Sequence, residues 1–269
     1  MAAGYERSND RGVSESIGFL LIFTIMITGI GLVTLYGYPL LLQQQVSADE
    51  KIMQKNMIVL QNDVKSLAYK TVPFKETSLK IGQGSLIVYN WSHLPVSSTI
   101  MIYTDIANKY VDSFHSGDLR YYSEAAGSEM SLQNGAVVTR RLVEPGSVML
   151  AEPRWFYDGK TNTVVINFIN MTGPDGISRA GVGTVQMALG DVRYTKTEIP
   201  AGIPIYLDYT PDSTQDYSVA WDNYFVNTMK MTETGASPWP TKTYRLDMVD
   251  TARLVTLVIK TYDVDIRSL

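Results

Sequence analysis

The chain has 269 residues, 45% of them hydrophobic and 19% charged, which is the composition of a folded protein of one or two domains. It has no cysteine and two histidines, which excludes disulfides, thiolate metal sites and cysteine nucleophiles and leaves almost no imidazole for acid–base chemistry. The formal net charge is -4, with no basic excess to neutralise a phosphate backbone, so no nucleic-acid partner is expected.

Residues 1–12, MAAGYERSNDRG, read as a short polar leader. No charged residue then occurs between Glu15 and Asp49, and Ile17 to Leu42 is a nearly continuous apolar run. About 20 apolar residues cross a bilayer core as a helix. The hydroxyls of Thr24, Thr28 and Thr34 can bond back to the preceding turn, so they do not oppose a membrane span. The other reading is a core helix buried on every side. A cleaved secretory signal does not fit: its apolar core is about 7–15 residues long and ends at small residues, whereas this run is longer and meets Gln43-Gln44-Gln45. Arg7 and Arg11 before the span and Lys51 and Lys55 after it balance, so charge does not set the orientation. Everything of substance follows the span, which puts the leader inside the cell and the domain outside.

From Val46 to Tyr69 there is neither Gly nor Pro. Val46, Met53, Leu60 and Leu67 recur at a seven-residue step, joined by Met57 and Val64, while Asp49, Glu50, Lys51, Lys55, Gln61, Asn62 and Lys65 are assigned to the other faces. This stripe has two readings: contact with the chain's own β domain, or a helix–helix contact between subunits. Pro73 ends the pattern. Together these segments predict one helix over 13–70, about 85 Å long at the α-helical rise. A bend is expected at Tyr38-Pro39, with Tyr36 and Tyr38 in an interfacial belt.

After Pro73 the periodicity changes to short β-branched and aromatic runs: 85–89, 99–103, 136–143, 147–150, 163–169, 182–189, 192–197, 203–209, 243–249 and 254–266. Turn signals such as Glu144-Pro145-Gly146 and Leu189-Gly190-Asp191 separate them. The last run is apolar on both faces until Lys260, which predicts a central strand. One helix is expected over 215–229, capped by Ser213 or Thr214, with Tyr217, Trp221, Tyr224 and Phe225 on one face. The fold class is therefore α+β: a long N-terminal transmembrane and stalk helix (13–74), then a mainly antiparallel β-sandwich (75–269) with one packed helix. A chain starting near Thr77 is expected to fold alone.

The segment Arg11-Gly12-Val13-Ser14-Glu15-Ser16-Ile17-Gly18 is similar to the class III signal of type IV pilin-like proteins. The chain most resembles archaeal, membrane-anchored, pilin-like surface proteins, with further likeness in Leu79-Lys80-Ile81-Gly82-Gln83-Gly84-Ser85-Leu86 and Ala220-Trp221-Asp222-Asn223-Tyr224-Phe225. The resemblance implies cleavage between Gly12 and Val13 by a prepilin-type peptidase, survival of the apolar helix, and an extracellular β-rich domain. It implies a structural or adhesive role, with membrane lipid and identical or related subunits or a surface layer as partners. One departure is visible: the best-known pilins carry Glu at the fifth mature position, where this cut places Ile17 and makes Glu15 third. Glu15, Val46, Met53, Leu60 and Leu67 are the candidate helix-packing residues.

No cofactor and no enzymatic activity are expected. Asp208, Asp212 and Asp216 recur at four-residue steps; they suit either a Ca²⁺ loop or turn and cap chemistry, and the latter is preferred. Asp263 and Asp265, on either side of Val264 in a strand, are set aside as a metal pair. His93 and His115 fall in loops, Ser131 and Ser147 lack a nucleophile-elbow context, and Glu144 and Glu152 read as turn acids. Gly181-Val182-Gly183 lacks the setting of a phosphate loop. Asn90 and Asn170 begin sequons, at a frequency that chance explains. The alternative to a surface subunit is a membrane-tethered enzyme or ligand-binding domain.

Overall fold

A computed structural model describes residues 9–70, 72–91, 98–105, 108–174, 176–235 and 240–269, with side chains from Glu15 onward except at Asn108 and Asp112. Helix begins at Asn9, four residues ahead of the expected start at Val13, so Arg11 and Gly12 lie within it. Among residues 9–13 Gly12 opposes helix most, at a cost of about 1 kcal/mol relative to alanine. The run comprises α1 (Asn9–Leu32), a π-helical turn (Val33–Gly37) and α2 (Tyr38–Lys70). The π turn answers the problem posed by Pro39, which cannot donate and crowds the carbonyl four residues back. The Tyr38 amide bonds Val33 O, five residues back, so the hydrogen-bond ladder changes register just ahead of the proline.

The chain divides into two compact units, residues 1–48 and 49–269. In the first, large apolar side chains from Ile17 to Leu42 are exposed, Phe19 by 71% and Leu35 by 71%. The helix is long and apolar enough to cross a membrane, and its apolar window is not buried. A helix buried on every side is therefore not what this segment forms.

The second unit begins inside α2, at Asp49. After α2 come β1 (Phe74–Tyr89), β2 (Thr99–Asp105), β3 (Asn108–His115), β4 (Asp118–Ser123), β5 (Ser128–Gln133), β6 (Ala136–Arg141), β7 (Ser147–Ala151), β8 (Phe156–Asp158), β9 (Thr163–Thr172), β10 (Ser178–Ile199) and β11 (Ile205–Thr210). Helix α3 (Ser218–Asn223) and a π turn (Tyr224–Thr228) lead to β12 (Thr232–Glu233), β13 (Lys242–Leu246) and β14 (Val255–Ser268). A nine-stranded sheet has the order β7-β6-β5-β4-β1-β10-β14-β9-β8, and a five-stranded sheet the order β12-β13-β11-β2-β3. All pairs are antiparallel except β14 with β9. The α+β class thus holds, with a mostly antiparallel β domain and one short further helix.

The large sheet is covered on both faces. On one face, Val164, Ile166, Phe168, Val255 and Leu257 share a core with Ile100, Ile102, Leu207 and Tyr244 of the small sheet and with Trp221 and Phe225. On the other, Leu79, Leu86, Leu119, Met171, Met187 and Val264 pack against Met53, Met57, Leu60, Val64 and Leu67 of α2. Strand alternation explains how one strand serves both: in β14, Val255, Leu257 and Ile259 enter the first core, and Tyr262, Val264 and Ile266 the second. It is an interior strand, between β10 and β9.

Three local readings are corrected. Leu189-Gly190-Asp191 is no turn; 182–189 and 192–197 are one strand whose pairing with β14 slips between Leu189 and Val192, as at a β-bulge. Strands β3, β4, β5, β8 and β12 are additional to the predicted set. The helix expected over 215–229 starts only at Ser218, because the side chains of Asp212 and Asp216 bond the amides of Thr214, Gln215 and Ser218 in turns.

Candidate functional site

The α2 seat unites most of the residues singled out for packing. Met53, Leu60 and Leu67 are fully buried, with Met57 and Val64, on the chain's own β domain. Val46 is half-buried and Glu15 exposed. Polar locks fix the register of α2 along β1. Lys80 pairs with Asp49 at 3.1 Å, Asn56 Nδ2 donates to Lys80 O at 3.0 Å, and Thr77 donates to Asp63. Asp49 and Gln61, which the sequence reading put on outer faces, are both buried. Gln61 Nε2 donates to Gly135 O at 2.7 Å and Glu152 O at 2.9 Å, joining the helix to two loops. Asp49 sits against Gly82, whose φ is +71° and where an added Cβ would lie 2.9 Å from Asp49 Cβ. Only glycine meets both conditions.

In the apolar segment, Thr24 Oγ1 donates to Leu20 O at 2.8 Å and Thr34 Oγ1 to Ile30 O at 2.9 Å. No polar hydroxyl of this pair is left bare for lipid to face. A Cβ added at Gly18, Gly29 or Gly31 meets nothing within 4 Å, so the helix has open, small-residue positions along it.

The sequence reading missed a buried ionic cluster on the face of the large sheet opposite α2. Arg120 contacts Asp118 at 2.8 Å and Glu129 at 3.2 Å, and Arg140 contacts Glu129 at 3.2 Å. Ser131 Oγ donates to Asp118 at 2.6 Å, Tyr217 OH donates to Glu129 at 3.0 Å, and Arg120 lies 4.4 Å over the Tyr89 ring. The legible signal was Asp118-Leu119-Arg120-Tyr121, opposite charges two apart on one strand face with apolar residues on the other. The cluster fastens the approach to α3 onto β4, β5 and β6.

Burial pushes the phenols of Tyr209, Tyr217 and Tyr244 well above the tyrosine range, with Glu129 adding to it at Tyr217 and Asp222 at Tyr244. The folded chain keeps these groups neutral where the unfolded chain would ionise them. Their contribution is complete below the ordinary tyrosine pKa of about 10 and is lost as pH rises beyond it. Stability measured by denaturant titration is therefore expected to fall steeply above pH about 10, with tyrosinate absorbance appearing together with loss of β-sheet ellipticity. Tyrosinate absorbance that rises fully before the fold is lost would contradict this.

The remaining candidates do not gather. Asp208 lies on β11 and accepts from Thr243 at 2.6 Å and Tyr103 at 3.2 Å, whereas Asp212 and Asp216 hold turns. Among the described residues no three His, Asp or Glu side chains come together as a metal ion would need. His115 bonds Ser113 at 2.7 Å and stacks on Trp91, and burial lowers its pKa; His93 lies outside the described residues. Ser147 Oγ accepts from the Ala220 amide, Glu144 is exposed, and Glu152 accepts from Thr228. Asp263 pairs with Arg193 at 3.0 Å and Asp265 with Arg267 at 3.8 Å. Gly181 and Gly183 belong to β10. Neither sequon offers a free amide: Asn90 Nδ2 donates to Gly173 O at 2.7 Å and Asn170 Nδ2 to Asp263 at 3.1 Å.

Fold and site define a class: a β domain carrying a docked helix whose N-terminal stretch is an exposed apolar segment of membrane-spanning length. The chain belongs to the Family of unknown function (DUF7289), which it matches over residues 11–267. No curated protein and no solved structure matches it.

Proposed function

We propose that this protein is a pilin-like structural or adhesive subunit of the cell surface, anchored by α1 with its β domain outside the cell. The observation that carries the reading is the exposed apolar run from Ile17 to Leu42, in a chain whose following helix is built into a β domain. Burying such a run recovers about 25 cal/mol per Å² of apolar surface, so it is stable only in lipid or against other apolar helices. Gly18, Gly29 and Gly31 supply places for close helix approach. The family match begins at Arg11, the basic residue of the signal-like segment. After cleavage at Gly12, Glu15 would need a cationic partner in an apolar surrounding, and the new amine of a neighbouring Val13 supplies one. Lipid, then identical or related subunits, are the partners in this scheme, and no catalytic role belongs to it.

Terminal sequencing of protein from carbonate-washed membranes is expected to read from Val13. Replacing Gly12 with Leu should leave the N-terminal residues attached and abolish filaments seen by immunogold labelling. A native chain that still begins at Met1 would overturn the subunit reading and leave a tethered ectodomain.

A further inference from the structure

Helix α2 stops at Lys70, but β9, β10 and β14 run on beneath the space it leaves. The result is a groove of about 540 Å³, floored by Val165 and Val258 and walled by Tyr69, Tyr262, Arg154 and Phe156. That volume is within the range of about 300–1,000 Å³ common for small-ligand clefts. The groove lies wholly within the unit 49–269.

Its walls are aromatic and cationic. Arg154 lies 5.1 Å over the Tyr69 ring, which meets Tyr262 edge-on at 5.5 Å. Lys260 enters from β14 and lies 5.7 Å from the ring of Tyr194, its cross-strand neighbour on β10. Phe156 is 46% exposed and Tyr194 59%. Arginines elsewhere in the domain, such as Arg120, Arg140, Arg193 and Arg253, hold ion pairs. Among the described residues no carboxylate pairs with Arg154 or Lys260, and neither side chain donates a hydrogen bond to protein. The lining holds no acidic side chain, although the chain as a whole carries -4. Burial and the nearby charge of Arg154 lower the pKa of Lys65, which donates to Glu152 O at 3.2 Å.

Arg154 is also held in place. Asn167 Nδ2 donates to Arg154 O, and Trp155 Nε1 donates to Asn167 O at 2.7 Å from within the core. The Arg154 carbonyl and the residue after it are thus pinned before any ligand arrives, which lowers the ordering cost of binding.

We propose that this groove binds an acidic saccharide, a sugar unit bearing a carboxylate or sulfate. Its C–H face stacks on the exposed rings and its anion takes the unpaired fork of Arg154 and the ammonium of Lys260. Guanidinium matches a carboxylate or sulfate edge with two parallel donors, and the ammonium adds a point charge. A neutral apolar helix is a poorer occupant, since it would desolvate both cations without pairing them. The inference is independent of polymerisation, because a tethered ectodomain would bear the same groove.

The test uses the full chain in detergent, titrated calorimetrically with trigalacturonate and, as a neutral control, maltotriose. Trigalacturonate should bind and maltotriose should not. Arg154→Gln and Lys260→Gln should each weaken binding about tenfold, the size of one lost hydrogen bond to a charged group. The double variant should abolish it with an unchanged melting temperature. Added salt should weaken binding by the wild type more than by either single variant. If Arg154→Gln perturbs the fold, Lys260→Gln alone carries the test. No binding of trigalacturonate, equal binding of maltotriose, or binding that survives the double variant would overturn the proposal. So would a fall in oligomer mass in the variants without any sugar binding, which would make the groove a contact between copies.

Discussion

A chain beginning at Thr77 is expected not to hold the β-domain fold, whereas one beginning at Asp49 is expected to hold it. The sequence alone pointed the other way, since residues 75–269 are numerous enough for a core. The structure explains the reversal. Removing residues 49–70 takes Met53, Met57, Leu60, Val64 and Leu67, all fully buried, from one face of the large sheet. Truncating a single buried Leu or Met to Ala costs about 2–5 kcal/mol, against a whole-domain stability of about 5–15 kcal/mol. Five such losses together, about 10–25 kcal/mol, match or exceed what a domain has to lose. The exposed remainder would include Leu79, Leu86, Leu119, Met187 and Val264, a broad apolar sheet face that invites aggregation. Within the intact chain, Leu60→Asp should act the same way on a smaller scale by burying an unpaired charge. Thermal melts followed by circular dichroism decide it. A cooperative transition for the Thr77 chain at the temperature of the Asp49 chain would show that α2 is dispensable.

Arg120→Met is expected to be the most damaging single change on the opposite face, at about 3–5 kcal/mol. Methionine has nearly the reach to fill the space but cannot pair with Asp118 and Glu129, which would be left buried with a net negative charge. Arg120→Lys should recover only part of the loss, because an ammonium cannot reproduce the planar fork that meets both carboxylates. Replacing Arg120 and Asp118 together by apolar residues of similar volume should be far milder than Arg120→Met, since Glu129 keeps Arg140 and Tyr217 and no net charge is left buried. Urea denaturation of the three variants orders these outcomes. A loss under 1 kcal/mol for Arg120→Met would mean that water reaches the cluster.

What was legible in the sequence followed from strong local signals. The uncharged stretch around Ile17 to Leu42 announced its helix, and the stripe through Met53, Leu60 and Leu67 announced which side of α2 is buried. The alternation in β14 marked an interior strand. What was missed depends on partners far along the chain. Gln61 looks like a surface residue until Gly135 and Glu152 supply acceptors for it. Strands β4 and β5 carry Asp118, Arg120, Glu129 and Ser131, which a polarity pattern assigns to solvent, yet they are buried together because they pair with one another. Gly190 and Asp191 have turn chemistry, and the antiparallel pairing of β10 with β14 on both sides turned that local preference into a bulge. The groove beside Arg154 had no sequence signal at all, because it arises from where α2 ends relative to strands coming from three other parts of the chain.

The way α2 is fastened also has a mechanical side. Its contacts with β1 run in reverse order along the two elements: Asp49 with Gly82 and Lys80, Asn56 with Lys80, Asp63 with Thr77 and Lys75. A pull applied along the helix axis at its N-terminal end loads this row, and the buried side chains between, in shear. All of them must yield together. A pull at right angles would open them one at a time from Asp49 onward, like a zip. In single-molecule stretching, tension applied along the axis through the N-terminus should meet a far higher rupture force than tension applied across the helix at Lys55.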